Sequence, residues 1–410
     1  MTALPLHTTI HGFDVIDNCL AVNGRKITDI VPDIGEAPAY VYVGSIIEAR
    51  IRHLRSNLPA DVKIHYAMKA NPHRDVVQFI APLVDGIDVA SAGELEVALT
   101  TNTPRSEISF AGPGKRPVEI DAAVAAGIVL NIESETELAR AADASRRLKR
   151  RAQVAVRVNP AFELKGSGMR MSGGPKPFGV DAERVPAMLR SLSTLEVEFV
   201  GFHIFTGSQN LHAEAICESQ SRSLELAIEL ARHAPSPPKF INVGGGFGIP
   251  YFPGDKPLDI APIGLHLKGL VGELKQQLPD CDLVVELGRY IVGEAGCYVC
   301  QVVDRKISRE QTFLITNGGM HHHLALSGNF GQVIRRNYPV LIGNRVLSDE
   351  TESTSVVGPL CTPLDILADK MTLPRAVIGD LIVVFQSGAY GFTSSPHRFL
   401  SHPEPRELLL

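Results

Sequence analysis

Four short segments of the chain bring together residue types that could do chemistry. The first is His65-Tyr66-Ala67-Met68-Lys69-Ala70-Asn71-Pro72, where a lysine follows a strand-like run. A primary amine at a strand end can serve an ion pair, or it can condense with the aldehyde of a cofactor as a Schiff base. The second is Gly244-Gly245-Gly246-Phe247-Gly248. Glycines at this density let backbone N–H groups come close to an anion such as a phosphate. No Gly-Lys-Ser/Thr follows, which excludes a Walker loop, and the run does not open a first βα unit as a dinucleotide fingerprint does. The third is Glu286-Leu287-Gly288-Arg289-Tyr290. Its carboxylate and guanidinium could pair with each other. Alternatively, the carboxylate could meet a ring nitrogen and the arginine a phosphate or carboxylate. The fourth, Gly358-Pro359-Leu360-Cys361-Thr362-Pro363-Leu364-Asp365, sets a cysteine between two prolines. A lone cysteine is usually a small buried hydrophobe, but on a loop it becomes a candidate for function.

Three other clusters have plainer readings. Cys297 and Cys300 have CxxC spacing, yet no second pair accompanies them, and on a strand such positions point to opposite faces. His321, His322 and His323 invite a metal, but no carboxylate pair flanks them, and no metal is expected. Arg146, Arg147, Lys149, Arg150 and Arg151 directly follow a helical stretch. A solvated helix end, with cations at the negative end of the dipole, accounts for them better than a phosphate or nucleic-acid patch.

Strands that alternate with helices would position the first three segments. Strands are expected at Lys63 to Ala67, Gly86 to Ala90, Ile108 to Ala111, Val129 to Ile132, Gln153 to Val158, Glu198 to Phe205, Phe240 to Val243 and Leu283 to Glu286. Helices fill the intervals, among them Arg74 to Val84 and Ala92 to Thr100, the latter opened by Ser91. About eight strands alternating with helices over roughly 250 residues is the rhythm of a TIM barrel, with a doubly wound sheet as the alternative. In a barrel, catalysis sits at the C-terminal strand ends, and Lys69, the glycine run and Glu286 all lie at such ends. After Leu287 the texture turns β-rich, at Tyr298 to Ile307, Thr312 to Thr316, Ser355 to Val357 and Leu381 to Phe385. The short strands Phe13 to Ile16 and Cys19 to Val22, the second followed by an Asn23-Gly24 turn, are expected to join that region. The fold class is therefore α/β: a TIM (β/α)8 barrel over 36–286, with a β-sandwich or barrel-like domain built from 1–35 and 287–410.

Composition sets outer bounds. A chain of 410 residues suits more than one domain, and 44% hydrophobic with 21% charged residues excludes wholesale disorder. Lys and Arg number 40 against 45 Asp and Glu, a net charge of −5 that suits no dedicated nucleic-acid binder. No apolar run approaches the ~20 residues that span a bilayer, so no membrane partner is expected. Met1 to Ile10 contains no Lys or Arg and no long apolar core, unlike a signal peptide. Six cysteines do not make a disulfide framework in a chain of this length; reduced thiols in the cytoplasm are expected.

As an ordered set, YAMKAN, GGGFG, ELGRY, GPLCTPLD and SGAYG resemble the fold-type III pyridoxal-phosphate decarboxylases, the group of diaminopimelate and ornithine decarboxylases. The similarity runs from about Ile10 to the end. Over its whole length the chain resembles most the decarboxylases associated with exosortase A systems, through Phe162 to Val180 and Gly318 to Tyr338. The Cys361-Thr362-Pro363 loop and the ending FLSHPEP also resemble siderophore-pathway decarboxylases.

The resemblance implies that Lys69 holds pyridoxal phosphate as a Schiff base and that Glu286 faces the ring nitrogen. It implies phosphate binding by the N–H groups of Gly245, Gly246 and Gly248, with Tyr390, and a contact of Arg289 with the phosphate or the substrate carboxylate. His203, Phe205 and Ser208 would line the cofactor pocket, with Asp88 and Arg157 in its wall. Phe205 stands where many relatives have a histidine that stacks on the ring, and its aromatic face can stack as well. Cys361 would come from the partner subunit of a homodimer with shared sites and protonate the carbanion left when CO2 departs. A glutamate rather than an arginine at the ring nitrogen implies decarboxylation, not racemisation. Arg289, Arg335, Arg336, Tyr338 and Thr362 would meet the substrate. Diaminopimelate decarboxylases carry a Glu directly after the active-site cysteine, and this chain carries Thr362. That departure implies an amino acid with an acidic or acylated tail, or a carrier- or citrate-linked conjugate. Two alternatives remain at this point: a true meso-diaminopimelate decarboxylase of lysine biosynthesis, and a non-catalytic cofactor-binding regulator. Such regulators tend to lose the lysine or the cysteine, and both are present here.

Overall fold

A computed structural model describes the chain from residue 6 to 410 except for positions 34, 36, 37, 164, 165, 167, 330, 331 and 333. The first five residues, the expected domain boundary at Glu36, and parts of the segments Phe162 to Val180 and Gly318 to Tyr338 lie outside the described residues. The chain forms two compact units, one of Ala49–Ile249 with Leu258–Tyr290, the other of the residues up to Glu48, Pro250–Pro257 and Ile291–Leu410.

The first unit is a closed parallel barrel. Its strands are β1 (Val62–Ala67), β2 (Gly86–Val89), β3 (Ile108–Phe110), β4 (Val129–Ile132), β5 (Ala152–Asn159), β6 (Val197–His203), β7 (Phe240–Gly245) and β8 (Asp282–Leu287). Each pairs in parallel with the next, and β8 closes on β1 with Glu286 opposite His65. The physical reason is burial on both faces. Strands β2, β3 and β4 are buried at every position, as expected for a parallel sheet wrapped in helices.

Local chemistry sets the helix ends. Ser91 and Ser134 cap their helices by accepting the N–H groups of Glu94 and Glu137, each at 3.1 Å. Helix Arg74–Ile80 stops short of the expected Val84, and Ala81–Leu83 tightens to a 3-10 turn around Pro82, whose ring removes an N–H from the ladder. The basic run is used structurally. Arg147 pairs with Asp121 and Asp143, Arg150 donates to the Ala125 carbonyl, and Arg151 donates to the Val197 carbonyl.

The second unit holds a mixed sheet around the long strand Gly296–Ser308, which pairs antiparallel with Gln311–Thr316 and Leu381–Val384. The strand Ala39–Tyr42 belongs here rather than to the barrel, since it pairs with Gly296–Ser308 and with Arg406–Leu409. It is thus an N-terminal strand that completes the main sheet. The earlier strands Asp14–Ile16 and Cys19–Val22 form a small sheet of their own with Arg25–Lys26. They join the β unit through its core: Cys19, Leu20 and Val22 pack with Val41, Val299, Val383 and Phe385. The Leu20 N–H donates to the Gly343 carbonyl at 2.7 Å. Asn23 and Gly24 both take positive φ, as the hairpin turn between Cys19–Val22 and Arg25–Lys26 requires.

Candidate active site

The barrel strands deliver a compact group of side chains at their C-terminal ends. Lys69 lies in the single turn Met68–Ala70 that follows β1, and Glu286 lies one residue before the end of β8. Pairing of β1 with β8 brings Lys69 Nζ within 3.2 Å of Glu286 Oε1. His203 ends β6, and its Nε2 lies 2.8 Å from Glu286 Oε2. Both the His203 and the Glu286 side chain are 3% exposed. Burial alone would raise the Glu286 pKa. The Lys69 charge and the His203 hydrogen bond outweigh burial and hold the carboxyl well below the usual carboxylate range. An ionised carboxylate only accepts, so His203 Nε2 carries the proton and donates. His203 Nδ1 is buried and has no hydrogen-bond partner among the described residues. Lys69 Nζ also lies 5.1 Å from the centre of the Phe205 ring.

The glycine run turns the chain directly beside these groups. A Cβ on Gly245 would lie 2.0 Å from the Glu286 carbonyl oxygen, so only glycine permits that approach. Gly244 and Gly246 take positive φ. The Gly248 N–H donates to the Asn210 carbonyl at 2.9 Å. That bond closes the loop. Ser208 pairs with Met169, and its carbonyl accepts the Gly168 N–H at 3.0 Å. Asp88 on β2 accepts the Ser109 hydroxyl through Oδ1, while Oδ2 is buried without a partner among the described residues. Arg157 on β5 donates to Glu133 at 2.9 Å and covers the Phe178 ring at 5.2 Å. Arg289 opens the short helix Arg289–Val292 just after β8.

Cys361, Thr362, Arg335, Arg336, Tyr338 and Tyr390 belong to the β unit. Cys361 is exposed on its loop. Thr362 Oγ1 accepts the Leu364 N–H at 3.3 Å. Arg336 covers Phe252 at 3.9 Å and lies 3.8 Å from Asp255, so its charge is answered locally. Arg335 donates from Nη1 to Asn337, while its Nε and Nη2 are buried with no hydrogen-bond partner among the described residues. Tyr338 packs on Tyr251 at 4.7 Å. Tyr390 takes a positive φ of 54°, and its carbonyl accepts the Ser394 hydroxyl.

The cysteine pair and the three histidines are buried. Burial pushes the Cys297 and Cys300 thiols up to about 12. It pushes His322 down to about 4 and His323 to about 3, and each has a hydrogen-bond partner: Tyr298 for His322 and Ser387 for His323.

Three carboxylates escaped the sequence reading. Glu94 accepts the Ala90 N–H at 2.6 Å and feels the Lys69 charge, although burial raises its pKa overall. Asp365 is buried in the cysteine loop and accepts the N–H groups of Leu360 and Met320, at 2.8 and 2.6 Å. It thereby ties the turn before Cys361 to the histidine segment. Glu133 ties loops of the barrel together. Asp365 closes the cysteine motif, but an acidic residue by itself names no partner, and Glu133 lies in no motif.

Residues 44–293 match the pyridoxal binding domain of the pyridoxal-dependent decarboxylases. The chain belongs to this family. It is 37% identical over 380 residues to the L-glutamyl-(BtrI acyl-carrier protein) decarboxylase of Niallia circulans, covering 91% of this chain and 89% of that one. It is 31% identical over 376 residues to the 2-((L-alanin-3-ylcarbamoyl)methyl)-2-hydroxybutanedioate decarboxylase of Staphylococcus aureus, covering 90% and 93%. It is also 31% identical over 400 residues to a diaminopimelate decarboxylase of Aquifex aeolicus, covering 96% and 91%. The crystal structure of a diaminopimelate decarboxylase from M. jannaschii superposes with a TM-score of 0.86 at 25% identity, over 97% of this chain and 92% of that one.

The decarboxylase is thus a carboxy-lyase that uses pyridoxal phosphate. The residues present fit that cofactor. Lys69 offers an amine for its aldehyde, and Glu286 is held as an anion for a protonated ring nitrogen. Phe205 offers an aromatic face, and the buried Asp88 Oδ2 and His203 Nδ1 atoms have no partner among the described residues. Among the described residues no His, Cys, Asp or Glu cluster is arranged to hold a metal ion, and no helix is long and apolar enough to cross a membrane.

Proposed function

We propose that this enzyme removes the α-carboxylate of an amino acid whose side chain is acylated or otherwise conjugated, rather than that of free meso-diaminopimelate. The observation that carries this reading is Thr362. The residue after Cys361 has no charge, and its hydroxyl is turned back to the Leu364 N–H. A distal ammonium placed there without a carboxylate would cost on the order of 1–3 kcal/mol. That corresponds to roughly a tenfold to hundredfold loss of affinity. Arg335 adds to the case, because its Nε and Nη2, without a partner among the described residues, suit a carboxylate or carbonyl on the substrate tail. The names of the Niallia circulans and Staphylococcus aureus relatives both describe an amino acid joined to a larger group. The exosortase-associated placement is part of this proposal and rests on the sequence segments quoted above.

Bound pyridoxal phosphate supplies an electron sink for the pair left by departing CO2. The chain's own residues do the rest. Lys69 would provide the amine that holds the cofactor's aldehyde. Glu286, oriented by the His203 Nε2–H, would face the ring nitrogen as an anion and favour its protonated form. Arg157 and Asp88 wall the pocket, and Gly245 and Gly246 allow the phosphate to approach the backbone. The Cys361 thiol, contributed across a homodimer, delivers a proton to Cα.

The test is a panel of L-amino acids, meso-diaminopimelate and acylated or citrate-linked diamino acids, scored by CO2 release. The highest kcat/KM is expected for an acylated or conjugated compound. A value for meso-diaminopimelate well above all others would make this a lysine-pathway enzyme instead.

A further inference from the structure

Glu133 stands just past the end of β4, and its side chain is only 1% exposed. Its Oε1 accepts Arg157 Nη1 at 2.9 Å and the Gly112 N–H at 2.5 Å, and its Oε2 accepts the Gly179 N–H at 3.0 Å. Gly112 lies in the loop after β3, and Gly179 ends the segment that follows β5. One anion therefore gathers three loops on the face of the barrel where catalysis sits. Both glycine donors need their residue type. Gly112 has φ +132° and Gly179 φ +72°, and a Cβ on Gly179 would press within 2.9 Å of the Arg157 carbonyl.

Behind this carboxylate lies a second buried pair. Lys115 Nζ donates to Glu137 Oε2 at 3.0 Å, and that same oxygen accepts the Glu133 N–H at 2.8 Å. The four side chains, Lys115, Glu133, Glu137 and Arg157, balance in charge. Burial would raise the Glu133 pKa, but Arg157 and Lys115 outweigh it and keep the group ionised. A buried ion pair is a poor source of stability, because desolvation offsets much of the attraction. What such a pair can supply is direction: a guanidinium held by a charge-assisted bond points one way.

We propose that Glu133 is a positioning residue of the cofactor pocket, aiming Arg157 and latching the Gly112 and Gly179 loops beside it. This rests on Arg157 being a wall of that pocket. Titration of cofactor-free protein with pyridoxal phosphate, followed by absorbance, tests both claims separately. The variants are Glu133→Gln, Arg157→Gln and the double variant. Each single change should raise Kd roughly tenfold or more, as a lost charge-assisted bond does. The double variant should be no weaker than the worse single one by more than about twofold, because both act through one guanidinium. Glu133→Asp, which keeps the charge, should recover part of the loss. A weakened Arg157→Gln beside an unchanged Glu133→Gln overturns the positioning role alone. Additive losses overturn it too. Two unchanged singles remove Arg157 from the pocket and the proposal with it. Amide hydrogen exchange on the cofactor-free wild-type protein gives an arm that needs no variant. Protected Gly112 and Gly179 amides are expected, and exchange at unfolded rates at either would contradict the latch.

Discussion

A lysine ammonium, a glutamate and a histidine in a row make each other's chemistry. Glu286 stays ionised in a buried site because Lys69 and His203 surround it, and the ionised form is the one that can keep a ring nitrogen protonated. Lys69 and Glu286 were legible in the sequence because each sits in a short motif at a strand end, whereas His203 entered only through the resemblance. Glu133, Asp365 and Asp88 were less so, since their partners lie far along the chain. Glu133 reaches Arg157 across 24 positions and Gly179 across 46. Gly248 shows the converse: its motif was visible, but its bond to Asn210 was not. At this scale the account predicts different fates for the lysine and the cysteine. Lys69→Ala should lose both cofactor attachment and turnover. Cys361→Ala should keep the cofactor spectrum while CO2-releasing turnover falls by roughly 10²–10⁴-fold, the range for a lost general acid. Near-full activity in Cys361→Ala would remove the thiol from the mechanism.

The barrel strands were readable because burial on both faces writes them as short apolar runs between turn residues. Ala39–Tyr42 is such a run too, and periodicity alone could not show that it joins the β unit. One strand also carries a charge that the motif around it did not announce. His65 on β1 is buried 3.5 Å from Asp88 and 3.4 Å from Glu107, beside a cavity of about 340 Å³ at the N-terminal end of the barrel. Burial alone would push its pKa down, but the two carboxylates outweigh this and hold it up at about 9, against an ordinary 6.5. Raised in the folded state, this group contributes stability that is fully present below pH 6.5 and is lost as pH climbs through about 9. The size is on the order of 3 kcal/mol. Urea denaturation of wild type and His65→Gln at both ends of that window should show the decline in the wild type and a much flatter profile in the variant. Parallel profiles would mean that the imidazole is not charged in the fold.

At the scale of the whole molecule, the barrel carries the amine and the β unit carries the thiol, and the proposed homodimer shares its sites between subunits. Mixing inactive Lys69→Ala and Cys361→Ala chains should then restore part of the activity, because a heterodimer contains one intact pair. Absence of recovery, with subunit exchange verified, would count against sharing. The central claim of the account is that Lys69 is the amine that takes pyridoxal phosphate. Reduction of the cofactor-loaded protein with borohydride, followed by digestion and peptide mass spectrometry, tests it most directly. The account predicts a pyridoxyl phosphate adduct on the peptide containing Lys69 and on no other lysine. An adduct on a different lysine, or none in protein saturated with the cofactor, would contradict it.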